Sequence, residues 1–368
     1  MKRIISDLPP LDKLFLSIPL VRDYYELNAG RIKRGLLLKL KSVGLLRPYA
    51  HAIWLCTYRC NFTCPYCEAS AGDADPNELT TEQAFKMVND LAEIKVKKLL
   101  ISGGEVLVRK DIFKVMKYAN SRGIKIGILS NGFLVKQMKE KLSEIDMFFY
   151  FSSIDGREDY HNEMRGRANS FNKVFESLDV MRDLGVKTRL INSVIHPGNY
   201  DDLEGLFNKI SQSSATMWNL TPMAKVGRAD GDFGYSLSGE QLRGLVSFIR
   251  EKRKYFPVDV ADSHSYLGFF EGAAIGRPHF ASAGLTKLAI MPDGEVLGCN
   301  QIYDHSYTEG SVKTRSLKDI WENEFKRFRS KEYPEYCMGC EFIKQCQGGF
   351  WAEMEKEKKC LKEVWFNS

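Results

Sequence analysis

The sequence predicts an α/β protein, a partial (β/α)6 barrel followed by a small cysteine-rich C-terminal domain. Three observations carry this expectation. From residue 51 onward, short apolar runs alternate with amphipathic stretches roughly every 25 to 30 residues, as in parallel strands joined by crossover helices. Six such units end by residue 222; that is short of a closed (β/α)8 barrel, and the functional groups of such a sheet gather at the C-terminal ends of its strands. The nine cysteines are also grouped: four between residues 56 and 67, Cys299 alone, and four between residues 337 and 360.

The elements follow in order. Residues 51–56 read as the first strand and run straight into the first cysteine group. Thr80 or Thr81 caps a helix to about Ile94, with Glu82 and Gln83 in its first turn. Residues 98–101 form a second strand and 111–120 a helix; 124–129 form a third strand, with a helix near 135–142. Residues 147–153 form the fourth strand and 170–184 its helix, and 188–195 and 216–220 are strands five and six. The barrel thus spans residues 51–222, a helical linker with one clear helix at 238–252 spans 223–280, and the C-terminal domain spans 281–368. Residues 1–50 are expected to be a helical extension. Between Arg31 and Arg47 there are six basic and no acidic residues among many leucines. This suits a helix covering one end of the barrel with its lysine stems laid along apolar surface, or alternatively a membrane-surface or acidic-partner site.

Composition excludes several classes. A hydrophobic fraction of 44% with 27% charged residues belongs to a globular chain. A net charge of +6 is too mild to point to nucleic acid. No apolar run approaches the ~18 residues of a transmembrane helix. Met1-Lys2-Arg3 resembles the start of a secretion signal, but Asp7, Asp12 and Lys13 interrupt any apolar stretch. A cytoplasmic location is expected, where clustered thiols signify zinc or iron–sulfur rather than disulfides.

Cys60-Asn61-Phe62-Thr63-Cys64-Pro65-Tyr66-Cys67 has the spacing C-x3-C-x2-C. So short a loop can place three thiolates on three irons of one cubane and leave the fourth iron open. Structural zinc wants four ligands and does not ordinarily use this spacing. Tyr66 is a candidate to lie against an adenine ring or simply to pack, and Cys56 reads as a core residue. After the second strand stands Ser102-Gly103-Gly104-Glu105. Its glycines let the backbone approach a ligand, and Glu105 can accept from a cationic amino group.

On these residues the chain resembles the radical S-adenosylmethionine (SAM) superfamily, and the resemblance runs through the whole barrel. It implies that Cys60, Cys64 and Cys67 hold a [4Fe–4S] cluster whose open iron is chelated by SAM. Electron transfer into the sulfonium then releases a 5′-deoxyadenosyl radical that abstracts a substrate hydrogen. Gly103, Gly104 and Glu105 match the motif that binds the SAM amino group. Ser130-Asn131-Gly132 resembles the family's Asn-Gly turn, and Ser153-Ile154-Asp155-Gly156 its Ser-x-Asp-Gly, with Ser153 at the ribose or carboxylate of SAM. Arg165 matches an arginine that pairs with the SAM carboxylate, for which its planar fork is apt. Asn192 on the fifth strand is a further candidate contact.

Near the C-terminus come Cys337-Met338-Gly339-Cys340, then Cys346 and Cys360, preceded by a hairpin-like turn at 290–296, Cys299, and a helix start at Ser316 with capping-box spacing. Together these resemble the SPASM domain, which carries auxiliary iron–sulfur clusters. The resemblance implies one auxiliary [4Fe–4S] cluster, fully ligated by Cys337, Cys340, Cys346 and Cys360 and serving as an electron conduit. A four-cysteine zinc site is the alternative. A second auxiliary cluster lacks two expected cysteines, because Ala281 and Phe350 occupy their places. Cys299 is then a buried thiol, a catalytic or substrate-contacting one, or an exchangeable ligand. In sulfatase-maturating relatives an aspartate base follows the matching cysteine. Here Asn300 stands there and takes no proton at neutral pH, so Cys299 and Asp304 become the catalytic candidates, with His305 beside them.

The expected reaction is oxidative modification of a ribosomally made peptide by crosslinking, decarboxylation or dehydrogenation, the auxiliary cluster accepting an electron. The alternative substrate is a small molecule such as a tetrapyrrole or another cofactor or natural-product precursor. A flavodoxin- or ferredoxin-type reductant is implied. Because 50 residues precede the barrel, a separate leader-binding protein is expected with a peptide substrate. A bare electron carrier would need neither Gly103-Gly104-Glu105 nor Arg165.

Overall fold

The computed structural model describes residues 51–229, 236–261, 282–330, 335–341 and 343–346, together with Leu36 and Lys39. The rest of the expected N-terminal extension, and positions 281, 350 and 360, lie outside the described residues. Strand β1 (His51–Leu55) is followed by β2 (Lys98–Ser102), β3 (Lys125–Leu129), β4 (Met147–Ser153), β5 (Thr188–Ile195) and β6 (Met217–Pro222). Each pairs in parallel with the next, so chain order equals spatial order. Between them lie α1 (Thr81–Glu93), α2 (Ile112–Ser121), α3 (Lys139–Ser143), α4 (Glu158–Met164), α5 (Ser170–Asp183) and α6 (Leu203–Ser211).

Two additions extend the sheet beyond six strands. The segment expected to be a linker contributes α7 (Gly239–Lys252) and a short β7 (Val258–Val260), which joins β6 in parallel. On the other side, β8 (Ala289–Ile290) of the C-terminal region pairs with β1 in parallel, and β9 (Glu295–Leu297) and β10 (Gly310–Ser311) continue antiparallel. The sheet runs β10-β9-β8-β1-β2-β3-β4-β5-β6-β7 and does not close, a partial barrel. Helices α8 (Leu317–Asn323), α9 (Lys326–Arg329) and α10 (Ile343–Cys346) complete the described C-terminal part. Among the described residues no helix is long and apolar enough to cross a membrane.

Local chemistry sets the helix starts. The Thr80 hydroxyl accepts from the Gln83 N–H at 3.3 Å while Gln83 Oε1 accepts from the Thr80 N–H at 2.9 Å, a reciprocal box that satisfies two otherwise orphaned donors. Ser238 and Gln241 repeat it at α7. At α8 the box is half made: Ser316 accepts from the Asp319 N–H, but the Asp319 carboxylate is held by Arg315 and Asn323.

The core lies between the sheet and its helices, with Trp54, Tyr150 and Trp218 fully buried. Each large apolar side chain so buried contributes roughly 1.5–3 kcal/mol. Trp218 is also a strut toward the functional end. Its Nε1 donates to Ser193 Oγ at 2.8 Å, and that hydroxyl donates to the Ile154 carbonyl where β4 ends.

Candidate active site

The first cysteine group leaves β1 as a loop closed at its base, where Cys60 N–H donates to Gly72 O and Gly72 N–H to Tyr58 O, both at 2.9 Å. Phe62, Cys64, Tyr66, Met164 and Ala229 form a small core of their own, with Cys60, Cys67 and Phe133 packed against it. Burial pushes the Cys60 thiol up to about 11 and the Cys64 thiol upward as well, so without a cation these groups stay protonated. Two donors nevertheless face the sulfurs: Ala71 N–H lies 3.4 Å from Cys67 Sγ, and Arg165 Nη1 3.9 Å from Cys64 Sγ. One buried thiol and two part-buried ones, with N–H donors turned on Cys64 and Cys67, fit an iron–sulfur group, whose positive charge offsets the burial penalty.

The glycines of Gly103-Gly104-Glu105 have a local reason that their motif does not reveal. Gly103 has φ +134°, and a Cβ there would sit 2.3 Å from Thr57 O; a Cβ on Gly104 would sit 2.3 Å from Arg59 O. The backbone that comes close is therefore the protein's own, at the root of the cysteine loop. Gly104 N–H donates to Thr57 O at 2.7 Å and Glu105 N–H to Arg59 O at 2.9 Å. Glu105 is fully buried, and its carboxylate accepts from Leu107 N–H (3.0 Å), Ser130 Oγ (2.9 Å) and Asn131 N–H (2.8 Å). Burial raises this carboxyl against those hydrogen bonds. About one of a carboxylate's roughly four acceptor positions remains. Asn131 Nδ2 then reaches Asn61 Oδ1 at 2.7 Å, so the exits of β2 and β3 are tied to the cysteine loop.

Asp155 is the hub that sequence reasoning missed. Its carboxylate accepts from Tyr66 Oη at 2.7 Å, Arg165 Nε at 2.7 Å and Val194 N–H at 2.8 Å, and it also forms an ion pair with Arg165 Nη2. Burial alone would raise the Asp155 carboxyl, but the Arg165 guanidinium, His161 and the hydrogen bonds hold it below the usual range. The hydroxyl of Tyr66 is thus engaged by Asp155, and its ring faces the guanidinium at 5.5 Å. The available signal was the position of Asp155 itself, an acid at a strand exit between Ile154 and Gly156.

Ser153 and Asn192 are paired across β4 and β5, and the same rung continues to Asn219 on β6. Asn192 Oδ1 accepts from Thr221 Oγ1 at 2.7 Å, whereas Asn219 Oδ1 is buried with no hydrogen-bond partner among the described residues. Asn219 was legible only as a member of a strand. Gly227 and Arg228, just beyond β6, were not singled out either, yet they touch the cysteine loop.

Cys299 is 4% exposed, and burial raises its thiol against the nearby charge of Lys287. The acid whose charge it feels is Glu68, next to Cys67; burial pushes that carboxyl up to about 7, eased by a hydrogen bond with Gln301. Asp304 instead is exposed and accepts from the Ser306 N–H at 2.8 Å, which holds it below the usual range and makes it a weak base. His305 Nδ1 pairs with Glu295 at 2.8 Å. The turn after position 281 is held by Arg329, whose Nε donates to Gly284 O at 2.9 Å. Cys337 and Cys340 flank Gly339 (φ +78°), and Cys346 ends α10. Their expected partner Cys360 lies outside the described residues.

Residues 54–210 match the model of the Radical SAM superfamily, and residues 282–341 match SPASM, an iron–sulfur cluster-binding domain. The chain belongs to the radical SAM superfamily and carries a SPASM-type domain, so it is an enzyme of a class that uses SAM and a [4Fe–4S] cluster. It is similar to the Fe-coproporphyrin III synthase of Methanosarcina barkeri, 26% identical over 329 residues that cover 81% of this chain and 82% of the relative. It is also similar to mycofactocin maturase MftC of Mycolicibacterium smegmatis, 26% identical over 80% of this chain and 76% of the relative. In fold it resembles SuiB of Streptococcus suis bound to S-adenosylmethionine, with a TM-score of 0.66 at 18% identity, covering 87% of this chain and 77% of that one.

Proposed function

We propose that this chain reductively cleaves SAM at a [4Fe–4S] cluster held by Cys60, Cys64 and Cys67 and uses the resulting radical to modify a ribosomally made peptide oxidatively. The observation that carries the first half is the cysteine loop itself: a buried Cys64 and part-buried Cys60 and Cys67, with N–H donors on Cys64 and Cys67, braced through Glu105, Asn131 and Asp155. When bound, the cluster supplies the electron that breaks the carbon–sulfur bond of SAM. The chain's own residues orient and enclose. Gly103, Gly104 and the remaining acceptor capacity of Glu105 receive the SAM amino group, and Arg165, with Asp155 holding one edge of its fork, turns toward the carboxylate. Ser130 and Asn131 hold the Glu105 carboxylate for that role, and Ser153 and Asn192 receive the ribose. The aromatic nest around Tyr66 and Phe62 encloses Cys64, with Cys60 and Cys67 packed part-buried against it.

In this reading Cys337, Cys340, Cys346 and Cys360 would hold one auxiliary cluster, which would supply an electron acceptor for the oxidation, and a flavodoxin- or ferredoxin-type protein would be the reductant. The peptide half draws support from MftC, a maturase, and from the fold likeness to SuiB, which has been solved with its precursor peptide SuiA; a separate leader-binding protein belongs to this reading. The similarity to Fe-coproporphyrin III synthase favours a second reading, a tetrapyrrole substrate. Anaerobically reconstituted protein with dithionite is expected to turn SAM into 5′-deoxyadenosine. No product with intact clusters would refute the cleavage. Precursor peptides encoded beside the gene, incubated in parallel with iron coproporphyrin, separate the two substrates by which one changes mass.

A further inference from the structure

We propose that Arg228, seated by Gly227, is a positioning residue for the cysteine loop: it locks the loop backbone from the exit of β6 and sets a fixed positive charge beside the cluster that the loop holds. The inference rests on Cys60, Cys64 and Cys67 holding that cluster.

Five residues past the end of β6 the chain makes a single 3-10 turn, Gly227–Ala229, against the loop. Arg228 Nε donates to Cys64 O and Nη1 to Ala71 O, each at 2.8 Å, while the Arg228 N–H donates to Cys67 O at 3.0 Å. Two of these carbonyls belong to ligand residues, and the third belongs to the residue whose N–H faces Cys67 Sγ. The approach is close enough to need glycine next door. Gly227 has φ +60°, and a Cβ there would lie 2.2 Å from Glu68 O and 2.4 Å from Cys67 O. Ala229, one residue on, is 4% exposed within the aromatic nest of Phe62, Cys64 and Tyr66. The turn is therefore packed into the loop on both sides of Arg228.

Two consequences follow from the chemistry of a guanidinium here. Its fork spans carbonyls seven residues apart in the loop, which the single nitrogen of lysine does not do. Its charge also goes unneutralised, since among the described residues no carboxylate pairs with it. Reduction adds a negative charge to a cluster already surrounded by thiolates. A nearby fixed cation favours that reduced state and raises the potential. A plain loop staple would change stability and leave the potential where it was.

The test uses the full chain, reconstituted anaerobically and titrated by electron paramagnetic resonance, following the reduced signal that SAM perturbs. In Arg228→Gln the midpoint is expected to move to lower potential; in Arg228→Lys, which keeps the charge, it returns toward wild type. Amide exchange across residues 64–72 is expected to rise in both variants, because neither side chain spans the two carbonyls. Arg228→Gln with full iron content, an unmoved midpoint and unchanged exchange overturns the inference. Loss of the SAM-sensitive signal from Arg228→Gln, with the second cluster and the helical signal intact, supports it. Should Arg228→Gln not fold, Arg228→Lys decides alone, and wild-type exchange in that variant overturns the proposal. Cys60→Ala separates the two levels: a SAM-sensitive signal that survives it refutes the ligand assignment rather than the role of Arg228.

Discussion

Replacing Asp155 by Asn tests the bracing of the site most directly. The side chain of Asp155 is 1% exposed and that of its partner Arg165 13%. Removing one member of so buried a pair leaves the other charge without its counter-ion, which costs about 3–5 kcal/mol. Asparagine keeps an oxygen for the Val194 N–H and Arg165 retains a little water, so the lower end, about 3 kcal/mol, is expected. Arg165→Met strands the carboxylate instead, at a similar cost. The double variant leaves two neutral groups in place of two charges and should cost about half of the roughly 6 kcal/mol sum, because a pair replaced as a whole strands no charge. Urea unfolding of the cluster-free chain, followed by circular dichroism at constant m-value, measures all three. A coupling of about 3 kcal/mol is expected. Costs that add to within about 0.5 kcal/mol would show that Asp155 and Arg165 act independently and would refute the hub.

Three further outcomes are expected. His161 is buried with Nδ1 accepting from the Asp155 N–H; burial, and then the charge of Arg165, depress its pKa from 6.5 to about 4. Its neutral form is the folded one, so its contribution is present above pH 6.5 and is lost as the pH falls toward 4, by about 3 kcal/mol in all. His161→Asn keeps an acceptor and does not titrate, and it should flatten stability against pH in that window; an unchanged slope speaks against a buried neutral ring. Gly104→Ala drives a Cβ to 2.3 Å from Arg59 O and should cost roughly 3 kcal/mol, whereas Gly123→Ala, at φ +75° with nothing within 4 Å, should cost only about 1 kcal/mol of backbone strain. Equal midpoints in urea would contradict that contrast. Cys337→Ala combined with Cys340→Ala should lower the iron content from about eight to about four per chain, and about twelve in the wild type would mean a third cluster.

What was legible in the sequence divides along a physical line. Elements held by their own periodicity read correctly: β4 and β5 span the residues their apolar runs indicate, and of the two threonines offered as the cap of α1, Thr80 is the one that caps it. Helix α6 carries Leu203, Leu206, Phe207 and Ile210 at helical spacing and was within reach of the same reasoning. Strand β7 was not, since three residues have no period and exist only because β6 offers them an edge; the hairpin turn at 290–296 was read and is the β8–β9 pair, but not the parallel pairing of β8 with β1. The site divides in the same way. Its thiols and glycines stand in a motif and are visible as chemistry, but Asp155 and Arg228 acquire their meaning from partners 89 and 164 residues away. The glycine pair shows how the two kinds of information combine. The motif marks Gly103 and Gly104 as indispensable, yet the atoms that forbid a side chain there are Thr57 O and Arg59 O, at the root of the loop that carries the cysteines. A motif that reads as a ligand contact is thus also the joint that fixes where three thiolates leave the sheet, and a substitution there would disturb the metal site before any ligand arrived.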